Sequence, residues 1–382
     1  MNYKCKNRQV SIFGKIMLTL NIIAIVLLIL SYIASWIPAD RIWQFAFFGL
    51  AYPIFFILNI FFILFWVISN KKKYFFLSLF VILLGWKHIR AFIQFHTLRQ
   101  IAPSEQQIKV MSYNVRLFDL YNWTNSKNIT TRNKIFELIR KEAPDIICLQ
   151  EFYSDDSRKF DVLDTLIQLQ KAKYYHVDYF KNRGRVQHWG VATMSSYPII
   201  NKKRVQFVNS ENNYLIYTDI LFKKDTIRIF NIHYESIRFG KEDLLFVSDI
   251  ANNRTENIDL TNKTKKIYWK LKSAFIKRDE QVRVAMNVIN KSPYPVIICG
   301  DFNDTPSSFV YNKMTSSLFD AFVESGNGMG KTYVGNIPSF RIDYIMYDYN
   351  FKAYNFKTIK EDLSDHYPID CNLILQRKST KK

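Results

Sequence analysis

The chain has 382 residues, with 53 Lys and Arg against 33 Asp and Glu, a formal net charge of +20. Hydrophobic residues make up 48% and charged residues 23%, which implies two regions of different character: one large domain and something smaller. Four cysteines are too few for a disulfide framework, and no Cys/His cluster has zinc-like spacing, so those two scaffolds are excluded.

Residues 1–100 carry eleven Lys/Arg and one acid, Asp40, so that region holds +10 and residues 101–382 hold the other +10. Within it, Ile16–Ile37 and Phe45–Ile68 are uncharged. Each matches the ~20 apolar residues of a spanning helix. The first is too long for a signal peptide and lacks a clear cleavage site; buried core helices are the alternative reading. A third stretch, Tyr74 to about Phe95, is interrupted by Lys87, His88 and Arg90. Those residues would snorkel at the far end of a span, or the stretch would be an interfacial helix. Basic residues flank the first span in the tail (Lys4, Lys6, Arg8, Lys15) and follow the second (Lys71–Lys73), whereas the first connection has only Arg41 beside Asp40. The positive-inside rule then puts the tail and Lys71–Lys73 inside, and a third crossing puts everything after about residue 96 outside. The expectation is an integral membrane protein, of the bacterial inner-membrane kind, with its large domain extracytoplasmic. Without the third crossing that domain stays in the cytoplasm.

Gln100–Gln107 reads as a polar linker. Ile108–Asn114 alternates as a strand ending in an amide, and Arg132–Lys141 has helical spacing and stops before Pro144. Asp145–Gln150 reads as a second buried strand, followed by Glu151. Strand, helix and strand in so short a span indicate a crossover unit. An amide (Asn114) and an acid (Glu151) at two strand tips supply hard oxygen donors that suit Mg²⁺ or Mn²⁺; a solvated strand end is the plain alternative.

Asp161–Gln170 reads as a helix, and Gly190–Ser195 with Pro198–Ile200 as strand around a turn. Tyr214–Leu221 and Thr226–Ile232 read as a strand pair, the second reaching His233. Ser236–Arg278 is a long charged insertion with helical character. Its Lys263–Lys277 portion interleaves lysines with Tyr268, Trp269 and Phe275, as a lid or membrane-surface element would, or simply a solvated helix. Arg278–Ile289 is an amphipathic helix. Val296–Asp304 is an apolar strand that runs into Asp301 and Asn303. An extended backbone would point both to one side, where one takes a proton and the other holds an oxygen; a turn alone would also favour these residues. A short helix follows near Phe309–Met314, then the loop Gly326–Gly330. Phe340–Tyr347 is a strand with Asp343 inside it, and such an acid needs a partner. Asp365 and His366 precede a final strand, Ile369–Leu375. Asp343 is of the right type to orient His366, because a carboxylate fixes an imidazole's tautomer and raises its basicity.

The stretches MSYN (to Asn114), LQE (to Glu151), NIH (to His233), GDFN (Asp301 to Asn303), RIDY (Asp343) and SDH (Ser364 to His366) together resemble the endonuclease/exonuclease/phosphatase superfamily, the deoxyribonuclease I-like fold. The resemblance covers roughly residues 108–376. It implies an α/β, four-layer αββα sandwich, here preceded by an N-terminal bundle of transmembrane helices. The organisation expected is an anchor over 1–99 (spans about 16–37, 45–68 and 74–95), a linker over 100–107 and a domain over 108–376 with the insertion 236–278. The resemblance further implies a divalent-metal site (Mg²⁺ or Mn²⁺) at Glu151 with Asn114 and Asp365. Asp301 would activate water with Asn303 orienting, His366 held by Asp343 would contact the scissile phosphate, and His233 would stabilise developing charge or assist the leaving group. The insertion and the spans depart from the family core and leave the substrate open. The function expected is a membrane-anchored, metal-dependent phosphodiesterase or phosphatase acting on a lipid headgroup or small phosphoester. The alternatives are a nuclease on extracytoplasmic DNA or RNA and an inactive binding or scaffold protein.

Overall fold

The structure, a computed structural model, describes residues 11–69, 71–100, 106–122, 128–156, 160, 162–170, 173–183, 186–208, 210, 212–240, 242, 243, 245, 246, 260–334 and 340–376. The chain separates into two compact units. The first runs to Ile89 and includes Ser307–Phe309; the second takes Arg90–Pro306 and the chain from Val310 onward.

The first unit is helical: α1 (Ile12–Ala34), α2 (Ala39–Ile42), α3 (Gln44–Leu50), α4 (Tyr52–Ile68), α5 (Phe75–Leu84) and the start of α6 (Trp86–Phe92). The Ser11 hydroxyl caps α1, accepting from the Gly14 amide at 3.2 Å. Polar groups on these apolar helices find one another: Trp66 Nε1 donates to Asn21 Oδ1 at 2.9 Å and Asn21 Nδ2 to Ser78 Oγ at 2.6 Å. Buried in an apolar setting, each would otherwise cost several kcal/mol.

Among the described residues α1 alone is long and apolar enough to cross a membrane unbroken; the count rises to three if each of two bent pairs is one span. The run expected to be one span at Phe45–Ile68 is divided into α3 and α4, bent by 58°, with Pro53 in the first turn of α4. The third stretch is bent by 67° between Leu84 and Trp86, where Gly85 interrupts the helix. Its last residues are not helical: Ile93–Phe95 is a strand, β1, of the second unit.

The second unit is α/β with two mixed six-stranded sheets. In chain order it holds β2 (Gln107–Asn114), α7 (Asn128–Glu142), β3 (Ile146–Asp155), α8 (Leu163–Gln170), β4 (Tyr174–Arg183), β5 (Gln187–Ser195), β6 (Ile199–Gln206), β7 (Tyr214–Phe222) and β8 (Asp225–His233). There follow α9 (Leu260–Ile289), β9 (Val296–Asp301), α10 (Phe309–Met314), β10 (Phe319–Asp320), α11 (Ala321–Ser325), β11 (Asn327–Met329), β12 (Asp343–Tyr347), β13 (Phe351–Thr358) and β14 (Ile369–Leu375). One sheet has the order β13-β14-β2-β3-β5-β4, the other β10-β12-β9-β8-β7-β6. Among the described strands, β2 with β3 and β8 with β9 run parallel and the other neighbours antiparallel.

Period-two alternation packs both faces of these strands. Val110 and Cys148 of the first sheet meet Ile229, Ile297 and Ile345 of the second in the core between the sheets. Their sequence neighbours Met111, Ile147 and Leu149 point the other way, onto Ile135 and Ile139 of α7 and Leu166 of α8. Burying each such side chain contributes about 1.5–3 kcal/mol. α7 ends where Ala143 turns left-handed (φ 44°), donating its amide to Ile139 O at 2.9 Å just before Pro144. α9 buries Phe275, Val282, Met286 and Ile289 along one face.

Several boundaries differ from the sequence reading. β3 runs on past Gln150 to Asp155, so Glu151 lies within a strand, at a bulge, and not at its tip. β12 begins at Asp343, which is its first residue and not an interior one. The expected helices on either side of Arg278 are one continuous 30-residue helix. The loop Gly326–Gly330 contains β11, paired with β1. β4 and β13 were not anticipated; both are sheet edges, where one side faces solvent and the apolar pattern is weak. Of the polar stretch Asp249–Lys266, and of the linker before β2, residues 249–259 and 101–105 lie outside the described residues.

Candidate active site

The two parallel pairs deliver their C-terminal ends to one place. Asn114 is register partner of Gln150, and His233 of Asp301. The antiparallel neighbour β12 adds Asp343 opposite Asp301, so His233, Asp301 and Asp343 form one row across three strands. Gly300 allows this close approach, since a Cβ there would stand 2.0 Å from the Ile232 carbonyl oxygen.

Asp301 is the hub and is 1% exposed. Its Oδ2 accepts from Asn114 Nδ2 at 3.0 Å and from Asn303 Nδ2 at 3.1 Å, while Oδ1 accepts the Asn303 amide at 2.8 Å. Asn303 does not continue the strand, as an extended backbone would require. It turns left-handed (φ 52°), and that turn brings its side chain back onto Asp301. Asn114 Nδ2 also reaches Glu151 Oε1 at 3.3 Å, and its Oδ1 accepts the Arg116 amide at 3.0 Å. Glu151 sits at φ 48°, a conformation that costs an L-residue about 1–3 kcal/mol and that the bulge imposes. The bulge aims its carboxylate at the cleft, where a third of the side chain (33%) is exposed. His233 Nε2 lies 3.8 Å from both Glu151 Oε1 and Asp301 Oδ2; it is buried and has no hydrogen-bond partner among the described residues.

His366 closes the cluster from the chain end. Its Nδ1 donates to the Asp343 carboxylate at 2.9 Å, and its Nε2 lies 3.7 Å from Asp301 Oδ2. Asp365 stands beside it with its carboxylate 3.2 Å from Arg116 Nε. Ser364 Oγ donates to the Asn114 carbonyl at 2.8 Å and anchors this loop to β2. Seven of the eight residues proposed from the sequence therefore lie on neighbouring strand ends and loops, and the eighth, Glu151, joins them from the bulge inside β3. Arg116 was not among them. Its signal, a basic residue two positions after the strand-tip amide, is visible in the sequence but carries nothing by itself.

A family model described as the Endonuclease/Exonuclease/phosphatase family matches residues 111–366, from the first of these motifs to the last. The chain belongs to this family. A second model, described as a domain of unknown function, matches residues 14–92. Comparison with curated proteins gives no significant match. Among solved structures, an endonuclease/exonuclease/phosphatase from Bacteroides vulgatus superposes with a TM-score of 0.51 at 15% identity, over 71% of this chain and 99% of that one. A family protein from Bacteroides thetaiotaomicron does so with 0.50 at 16% identity, over 71% and 99%. The human Nocturnin catalytic domain with bound sulfate gives 0.50 at 16%, over 74% and 98%. At such identity these likenesses concern the fold.

The electrostatics of this family member follow from burial and crowding. Burial raises the Asp301 carboxyl above its ordinary range, opposed by His366 and His233. Burial, with Asp365 and Asp301 adding like charge, pushes Glu151 up to about 7. His233 is lowered by burial and stays neutral. His366 is raised well above 6.5: burial opposes its charge, but Asp343 and Asp301 outweigh it. The site thus pairs one imidazolium with one neutral imidazole.

The donor chemistry fits a hard divalent cation. Glu151 is held protonatable by burial and by its acidic neighbours, a repulsion that a cation relieves, and His233 Nε2, without a hydrogen-bond partner among the described residues, faces the same space. Ligand atoms of Asp301, Asp343 and His366 also lie within 4.8 Å of one another. That trio is the poorer cation site, because the Asp343–His366 hydrogen bond already occupies two of its members.

Proposed function

We propose that the chain is a membrane-anchored, divalent-metal-dependent phosphoester hydrolase. The observation carrying this reading is the convergence of Glu151, His233, Asp301 and His366, with His233 Nε2 at 3.8 Å from two carboxylates and His366 Nε2 at 3.7 Å from one of them. Phosphoryl transfer asks for these parts: a base for water, a cationic donor for the phosphoryl oxygens, and help for the leaving oxygen.

Glu151, Asp365 and Asn114 would hold Mg²⁺ or Mn²⁺, which when bound neutralises charge on the phosphoryl oxygens. Asp301, its basicity raised by burial, takes the proton of the attacking water, and the Asn303 and Asn114 amides fix its orientation. His366, kept cationic by Asp343, donates from Nε2 to a phosphate oxygen. Neutral His233 faces the leaving oxygen.

Anchoring is supported by α1 and by the two bent helix pairs that reach spanning length together. With three spans, the basic residues at the tail and at Lys71–Lys73 favour a hydrolase on the extracytoplasmic side of a bacterial inner membrane. A lipid headgroup or small phosphoester is then the substrate within reach. A nuclease is the second reading, favoured by the +10 charge of residues 101–382.

The test is hydrolysis of bis(p-nitrophenyl) phosphate with Mg²⁺ or Mn²⁺, then plasmid DNA and phospholipid vesicles in parallel. Faster turnover of vesicles selects the first reading and faster turnover of DNA the second. No turnover of any phosphoester with either ion overturns both.

A further inference from the structure

The residues leading from the helical region into the hydrolase are part of its fold. Ile93–Phe95 pairs antiparallel with Asn327–Met329. The His96 amide donates to Gly326 O at 3.1 Å, and Arg99 exchanges two hydrogen bonds with Asn355, at 2.8 and 2.9 Å. These contacts alone would make a docked linker. Arg341 is the feature that a linker does not need.

Arg341 is 1% exposed and stands two residues before Asp343. Its Nε and Nη2 donate to the Ala91 carbonyl at 3.1 and 2.8 Å, and its Nη1 pairs with Asp320 at 2.7 Å. Its guanidinium lies over the Phe322 and Tyr344 rings at 4.8 and 4.6 Å. A buried guanidinium must satisfy its donors, so the position of Ala91 helps to dictate where Arg341 sits. A second route runs beside it. The Gly330 amide donates to Phe92 O at 3.3 Å, and a Cβ on Gly330 would stand 2.6 Å from Arg341 Cδ. Two residues on, buried Thr332 accepts at Oγ1 from the Asp343 amide at 3.2 Å, and its carbonyl accepts the Tyr367 amide at 2.7 Å. Residues 90–99 therefore touch, through one side chain and one short loop, the backbone on both sides of the Asp343–His366 pair.

We propose that residues 90–99 are a positioning arm of the active site, with Arg341 the positioning residue that transmits their placement to Asp343 and His366. This rests on the hydrolase reading above. The arm acts through Arg341 and the Gly330–Thr332 loop on the backbone around Asp343 and His366, so its loss is expected to act on the chemical step and not on binding.

The experiment uses the full-length chain in detergent, with kcat and KM measured on bis(p-nitrophenyl) phosphate. Gln94→Pro breaks the β1–β11 ladder, and Arg341→Met removes the donors to Ala91. Each is expected to lower kcat about tenfold or more with KM within about twofold, and Arg341→Lys to recover most of the loss. Amide exchange at Asp343 should quicken in Gln94→Pro. Unchanged kcat and exchange in Gln94→Pro, or a rise in KM alone, overturns the proposal. If Arg341→Met does not fold, Gln94→Pro decides. If the wild-type chain hydrolyses no phosphoester, the hydrolase reading falls, and the exchange rate at Asp343 still decides whether the arm sets that strand.

Discussion

His366 and Asp343 form a buried hydrogen-bonded pair, Nδ1 to carboxylate at 2.9 Å, with both side chains almost excluded from solvent. The pair joins the loop before the last strand to the first residue of β12. It is the reason an imidazole in so buried a place carries charge at neutral pH, since burial alone would lower it. Asp343→Asn should lower kcat by about 10²-fold or more, because the tautomer and the charge of His366 are both lost. With the carboxylate gone the His366 pKa falls, so the alkaline limb of the rate profile should move to lower pH. Rate measured from pH 5 to 10 in both forms checks this.

Asp301→Asn should lower turnover by about 10²–10⁴-fold while leaving the thermal midpoint close to wild type. The amide retains the shape of the carboxylate but cannot accept the water's proton. Circular dichroism and kcat on a small diester, taken together, test the pair of expectations; an active variant removes Asp301 from the role of base.

Metal affinity should depend on pH. Glu151 titrates near 7 in the cation-free protein and must be deprotonated to ligate. Binding of Mn²⁺ should therefore release about one proton below pH 7 and weaken up to about tenfold for each pH unit below it, levelling off above. Calorimetric titration at pH 6, 7 and 8 in two buffers measures the proton count. Chelation should abolish turnover, and Mg²⁺ or Mn²⁺ should restore it.

Away from the site, His176 is buried with Nδ1 2.8 Å from Thr218 Oγ1, and burial lowers its pKa to about 4. The folded pKa is below the ordinary 6.5, so the folded state binds fewer protons than the unfolded one between the two values. Stability from this group is complete above about pH 6.5 and falls as pH drops toward 4, by about 3 kcal/mol in all. His176→Asn should remove that part of the acid loss. Denaturant midpoints of both forms between pH 7 and 4 should converge toward the acid end.

A periplasmic reporter fused after residue 100 should be active if each bent helix pair is one span. A cytoplasmic signal would place the hydrolase on the other side and reduce the number of crossings.

Much of the hydrolase was legible along the chain because its central strands are buried on both faces. Ile369–Leu375 is apolar enough to declare both of its ends, and the structure has the same strand. The polar residues that end β2, β8 and β9 stand out against that background. Glu151 was legible as a residue but not as a geometry: nothing in LQE announces that the strand continues through it at φ 48°. The edge strand β4, with Tyr, Lys and Asn mixed along it, has no clean period to read.

Sequence alone determined which residues are polar where the chain should be apolar, and hence the family, the row of site residues and the apolar stretches of the first hundred positions. These are local properties, set by side-chain type and spacing. The tertiary structure decided the rest: that Arg116 meets Asp365, that the second and third apolar stretches are bent, and that Ala91 caps Arg341 from 250 positions away. Such pairings arise because buried donors and charges must find partners wherever the packed strands bring them, and that requirement leaves no period in the sequence.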